Sequence, residues 1–160
     1  MILKSKITEN PGKNKITFYD MFKLVVDTNI VVSALLKPDS LPDLIINMIL
    51  NSTFTLCLSE DIFNEYQGVL GREKFKELNQ EKTRRLLSKI KKNAKFVIPS
   101  VSVDAIKRDP EDNKFLECAL ESKADYLITG NITHFSFKKF RNTFIVTPRD
   151  FLDIIAKLLS

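Results

Sequence analysis

The feature that most constrains this chain is a recurring pair. A short unbroken apolar run is followed by a stretch whose apolar residues return at helical spacing. The runs are Leu24-Val25-Val26, residues 54–58, Phe96-Val97-Ile98, Tyr126-Leu127-Ile128 and Phe144-Ile145-Val146. A strand without polar alternation has both faces buried, as in a parallel sheet covered on each side. Between the runs, the spacing predicts a helix over about 30–36, ended by Lys37-Pro38-Asp39, and another carrying Leu44, Ile45, Met48 and Ile49. Ser59 is placed to cap a helix bearing Ile62, Phe63, Tyr66, Val69 and Leu70. A basic helix over 80–93 turns Leu86, Leu87 and Ile90 inward, a further helix covers 110–123, and Pro148 opens the last one. Strands alternating with helices imply βαβ crossovers. The expected fold is therefore α/β, a three-layer α/β/α arrangement with a central, mostly parallel sheet. Residues 1–20 are polar, lysine-bearing and broken by Asn10-Pro11-Gly12, so they read as an N-terminal extension, with one domain over 21–160.

At 160 residues the chain suits a single domain. Lys and Arg total 25 against 20 Asp and Glu, a net +5 that favours an anionic partner without proving one. Cys57 and Cys118 lie in apolar settings outside any CxxC. They read as buried thiols of a reducing compartment, with a Cys57–Cys118 disulfide as the lesser alternative. No apolar stretch has the length of a membrane span, and the N-terminus lacks a signal-peptide core, so the expectation is a cytoplasmic protein with no membrane partner. Oligomeric state is left open, a homodimer included.

Ligands of parallel sheets bind beyond the carboxyl ends of the strands. Asp27 follows Leu24-Val25-Val26 directly and so stands at such an end, although an Asp there also caps helices. Asp112, Phe115, Leu116 and Ala119 fall at i, i+3, i+4 and i+7, so Asp112 extends an apolar stripe and points inward. An inward acid needs a partner, and a metal ion would supply it. Asp109 can cap the same helix or support the site from outside, and Pro110 suits its first turn. Glu65 flanks the stripe of its own helix, where an ordinary solvated Glu is the plainer reading. Asn131 follows Tyr126-Leu127-Ile128 through Thr129-Gly130, where a turn residue would serve equally well. Taken together, Asp27, Asp112, Thr129 and Asn131 converge on one sheet end, with Glu65 within reach. Hard oxygen donors without His or Cys spacing suit Mg²⁺ or Mn²⁺ rather than zinc.

At these residues the chain resembles the PIN-domain nucleases, especially the toxin components called VapC-like. The resemblance is carried by Leu24-Val25-Val26-Asp27-Thr28-Asn29 with Ser33, by residues 59–65 and 109–119, and by Ala124-Asp125-Tyr126-Leu127-Ile128-Thr129-Gly130-Asn131. The tail Ile145-Val146-Thr147-Pro148-Arg149-Asp150-Phe151-Leu152 is similar to the family's closing strand and helix. The resemblance implies divalent-metal-dependent cleavage of single-stranded RNA and, in toxins, a cognate antitoxin protein. It places the family's acids on Asp27, Glu65 and Asp112. A fourth position, often Asp, is Asn131 here, which removes one negative charge.

On that footing Asp27 and Asp112 are expected to hold the metal, and Glu65 to orient a second metal or act on the attacking water. Thr129 and Asn131 would position the metal shell, while Thr28 and Asn29 would fix Asp27 or touch a phosphate. Arg84, Arg85, Lys89, Lys91, Lys92 and Lys95, and separately Lys138, Lys139 and Arg141, are candidates for attracting RNA, although a solvated basic face is the plainer reading. His134, the single histidine, reads as a loop residue near the site. Two rival functions stand beside this one. A PIN-like RNA- or protein-binding module weakened by Asn131 is the nearer. A phosphatase or receiver fits less well, because Asp27-Thr28-Asn29 lacks the second Asp of a phosphatase nucleophile motif and no P-loop is present.

Overall fold

The computed structural model describes residues 22–106, 109–135 and 137–160. The segment expected as an N-terminal extension, residues 1–20, lies outside the described residues.

Among the described residues, six strands form one sheet in the order β3-β2-β1-β4-β6-β5. β1 (Lys23–Val26), β2 (Thr55–Leu58), β3 (Lys95–Phe96), β4 (Tyr126–Ile128) and β6 (Thr143–Val146) run parallel, and β5 (Lys139–Phe140) pairs antiparallel with β6. Leu24, Val25 and Val26 are fully buried although successive side chains point to opposite faces. The sheet is thus covered on both sides, which is the three-layer arrangement expected. Its cover comprises α1 (Thr28–Leu36), α2 (Leu41–Leu50), α3 (Glu60–Leu70), α4 (Gln80–Asn93), α5 (Asn113–Ser122) and α6 (Pro148–Leu159). Side chains of Ser40, Ser59, Asn79 and Thr147 cap α2, α3, α4 and α6. Phe22, Phe54, Tyr126 and Phe151 pack edge-on or tilted, centroids 5.2–6.1 Å apart, at the end of the sheet opposite Asp27.

Register decides where the chemistry falls. Val26 pairs with Ile128, and Ile128 with Val146, so three central strands end level. The Asp27 amide donates to the Ile128 carbonyl (2.9 Å) and the Thr129 amide to the Val146 carbonyl (3.0 Å), holding both exits in line. From β1 the sheet grows through β2 on one side and β4 on the other. Such a change of direction opens a crevice beyond the strand ends.

Several boundaries differ from the sequence expectation. β3 stops at Phe96; Val97 still donates to the Leu58 carbonyl (2.8 Å), but Ile98 is 87% exposed. The helix expected over 110–123 opens as a 3₁₀ turn, Pro110–Asp112, before α5 begins. Buried Asn113 fixes that junction. Its Oδ1 accepts from the amides of Ala105 (3.2 Å) and Ile106 (2.8 Å), and its Nδ2 donates to the Ile106 carbonyl (3.2 Å). α4 is anchored by Thr83 and Ile90, whereas Leu86 and Leu87 are only half-buried. Both cysteines are buried and free, as expected.

Candidate active site

Asp27 leaves β1 in extended geometry at the cap position of α1, yet its side chain makes no capping hydrogen bond. Its carboxylate instead accepts from Thr129 Oγ1 (2.7 Å), across the β1–β4 crevice. Thr129 is in turn held by the Asn131 amide, which donates to the same Oγ1 (3.1 Å). This second bond leaves the Thr129 proton free to point at Asp27. Asn131 therefore enters through its backbone, and it is not among the residues lining the cleft described next.

A cleft of about 320 Å³ opens over the strand ends, lined by Asp27, Thr28, Asn29, Glu65, Asp109, Asp112 and His134, with Arg72 and Lys74 among its remaining walls. Glu65 arrives from the second turn of α3. Thr28 Oγ1 donates to one of its oxygens, so the Thr28 side chain braces Glu65, while the Thr28 and Asn29 backbones hydrogen-bond the Asp27 carboxyl. The other oxygen accepts from Lys114 Nζ (2.9 Å), which also lies 3.5 Å from Glu111. Asp112 ends the 3₁₀ turn, with its Oδ2 3.4 Å from His134 Nδ1. Asp109 makes no cap bond; one ligand atom each from Asp109, Asp112 and His134 lie within 4.8 Å of one another.

The electrostatics of the cleft are those of crowded carboxylates. Burial pushes the Asp27 carboxyl up from its ordinary value, against the Thr129 hydrogen bond, and the charge of Glu65 pushes the same way. Burial also raises Asp112, followed by repulsion from Asp27 and then Asp109, with His134 pulling down. Carboxylates that repel one another in a half-buried cleft are stabilised by a divalent ion. The Asp109, Asp112 and His134 donors, within 4.8 Å of one another, stand wider than the ~3 Å between adjacent oxygens around Mg²⁺, so the side chains would draw inward to close on an ion. The residues present fit such an ion.

Some of these residues carried no signal in the sequence. Lys114 and the cleft cations Arg72 and Lys74 went unmarked, and His134 faces the acids where a bystander loop residue was expected. The cations proposed from sequence on α4 lie elsewhere. Arg84 and Lys91 line a groove of about 390 Å³ between α3 and α4, and Arg85 and Lys89 line one of about 250 Å³ against α2. Neither groove contains the acids of the strand ends.

A parallel sheet with carboxylates converging over its switch point defines a class, and the comparison with known families is unequivocal. The PIN domain model matches residues 23–133, more than half of the chain, and the chain belongs to that family of nucleases. Among individual relatives, the uncharacterised Methanocaldococcus jannaschii protein MJ1680 is 28% identical over 148 residues, covering 86% of this chain and 94% of its own. The crystal structure of VapBC2 from Rickettsia felis, bound to a DNA fragment from their promoter, superposes with a TM-score of 0.53 at 21% identity, covering 78% of this chain and 98% of the other. PAE2754 from Pyrobaculum aerophilum gives the same TM-score, 0.53, at 12% identity, over 92% of this chain and 99% of its own. At those identities the two structures attest to the fold. No described helix is long and apolar enough to cross a membrane.

Proposed function

We propose that the protein is an endoribonuclease that hydrolyses single-stranded RNA with a divalent metal ion, Mg²⁺ or Mn²⁺, and serves as the toxin of a toxin–antitoxin pair. The observation that carries this is the meeting of Asp27, Glu65, Asp109, Asp112 and His134 in one cleft of a PIN domain. When bound, the divalent cation supplies positive charge at the scissile phosphate and eases deprotonation of the attacking water. Asp27, aimed by Thr129, and Asp112 are the residues that would hold it, with Asp109 and His134 beside them. Glu65, steadied by Thr28 and Lys114, presents an acceptor for the proton of that water. Arg72 and Lys74, on the turn after α3, offer cations to the backbone phosphates entering the cleft. Asn29 lines the mouth, within reach of a phosphate oxygen.

The test is cleavage of single-stranded and duplex RNA by purified protein, with Mn²⁺, with Mg²⁺ and with chelator. Metal-dependent cutting of the single strand alone is expected, and cutting that survives chelation overturns the reading. The toxin assignment draws support from the Rickettsia felis VapBC2 pair, which shares this fold. Overexpression should arrest growth, and Asp27→Asn should relieve the arrest. Normal growth with abundant active protein would remove the toxin role while leaving the nuclease. A second reading, a binding module with weakened catalysis, is favoured by Asn131 standing where the family often has Asp. RNA binding without cleavage at saturating Mn²⁺ would select it.

A further inference from the structure

The cleft carries its cation-binding groups in two unequal halves. On one side Asp109, Asp112 and His134 gather their donor atoms within 4.8 Å, next to Asp27. On the other, Glu65 already has a cation: Lys114 Nζ lies 2.9 Å from Oε1, and the Lys114 side chain is only 19% exposed. Thr28 occupies the second Glu65 oxygen. Lys114 is the second residue of α5, so the helix that follows Asp112 delivers it, and Glu111 (3.5 Å) flanks the same ammonium. A part-buried ion pair such as this is screened less than a fully exposed one.

We infer that Lys114 is a built-in replacement for a second metal ion: it neutralises Glu65 from within the fold, so that the chain takes one divalent cation, in the Asp27–Asp112 half of the cleft. Lys114 is thus a positioning residue, acting through Glu65. A divalent ion placed at Glu65 would meet a fixed positive charge about 3–5 Å away, a repulsion that weakens its binding tenfold or more even at water-like screening. Asn131 does not restore the balance, because it contributes its amide to Thr129 and does not line the cleft. The inference rests on the metal-binding part of the proposed function and not on the identity of the substrate.

Mn²⁺ binding to the full chain without RNA tests it, by titration calorimetry and by electron paramagnetic resonance of free Mn²⁺. The wild type should saturate at one ion per chain. Lys114→Gln, which keeps a hydrogen-bond donor but loses the charge, should take a second ion, while Lys114→Arg should stay at one. Glu65→Gln/Lys114→Gln, lacking both charges, should return to one and serves as a folded check should the single variant prove unstable. Two ions on the wild type, or one ion on Lys114→Gln with unchanged affinity, would overturn the inference. So would a second ion retained by the double variant. Cleavage assays on the same samples separate the failures: one ion bound with no RNA cut refutes the nuclease, not the role of Lys114.

Discussion

At the scale of single residues, Asp27 and Asp112 crowd negative charge into one cleft. Asp27→Asn and Asp112→Asn should each lower metal-dependent RNA cleavage by at least about a hundredfold, more than losing a supporting contact to a metal ligand usually does. The same substitutions should raise the melting temperature of the metal-free protein at neutral pH, because each removes a carboxylate held above its ordinary pKa by burial and by like charge. The sign with pH follows. A raised folded-state pKa means that the native protein binds more protons than the unfolded chain, so stability from these two groups is present below the unfolded value and lost as pH rises through the folded ones. Metal-free wild type should gain stability relative to the Asp27→Asn/Asp112→Asn double variant as pH falls from neutral toward the carboxylate range. Thermal melts of both proteins in chelator across that range measure it, and parallel curves would refute the assignment. Asp27 and Asp112 were readable in the sequence, one as the residue ending an apolar run, the other as the polar member of an apolar stripe. His134 and Lys114 were not. Lys114 follows one 3₁₀ turn and His134 closes another, and the tighter winding breaks the periodicity on which a helical reading depends.

At the scale of elements, the junction before α5 is the part most dependent on one side chain. Strand identity and order of elements could be read from apolar runs, but the path of residues 102–106 could not, since nothing local specifies it. Asn113 supplies the specification by satisfying the Ala105 and Ile106 amides and the Ile106 carbonyl. Asn113→Ala leaves those buried groups unpaired, which should reduce stability by about 2–3 kcal/mol. In a domain of this size that corresponds to a melting-temperature loss of about 5–10 °C. Amide exchange should quicken at Ile106 before it quickens in β1 or β4, and Mn²⁺ affinity should fall, because Asp109 and Asp112 follow directly. An Asn113→Ala variant with unaltered exchange at Ile106 would show the clamp to be dispensable.

For the whole molecule, a net charge of +5 is a weak guide to the substrate, because the cations that line the acidic cleft are Arg72 and Lys74, with Lys114 paired to Glu65, and not the more populous set on α4. Single-stranded RNA binding, measured with the inactive Asp27→Asn protein, should weaken with salt, and Arg72→Ala or Lys74→Ala should each reduce the log–log slope by about 0.7. Charge reversal at Arg84 should leave that slope nearly unchanged if its groove lies off the RNA path. The borders of the sheet bear on partners as well. β3 and β5 are its two outermost strands, each two residues long and each a Lys-Phe pair. Short, lysine-bearing borders offer an incoming polypeptide almost no rungs on which to continue the ladder. A protein inhibitor is therefore expected to grip it side chain to side chain, by a helix or an extended segment laid into a groove. On the toxin–antitoxin reading proposed above, the two proteins would then diverge together at groove-lining positions, leaving backbone pairing little part in choosing between cognate and foreign partners.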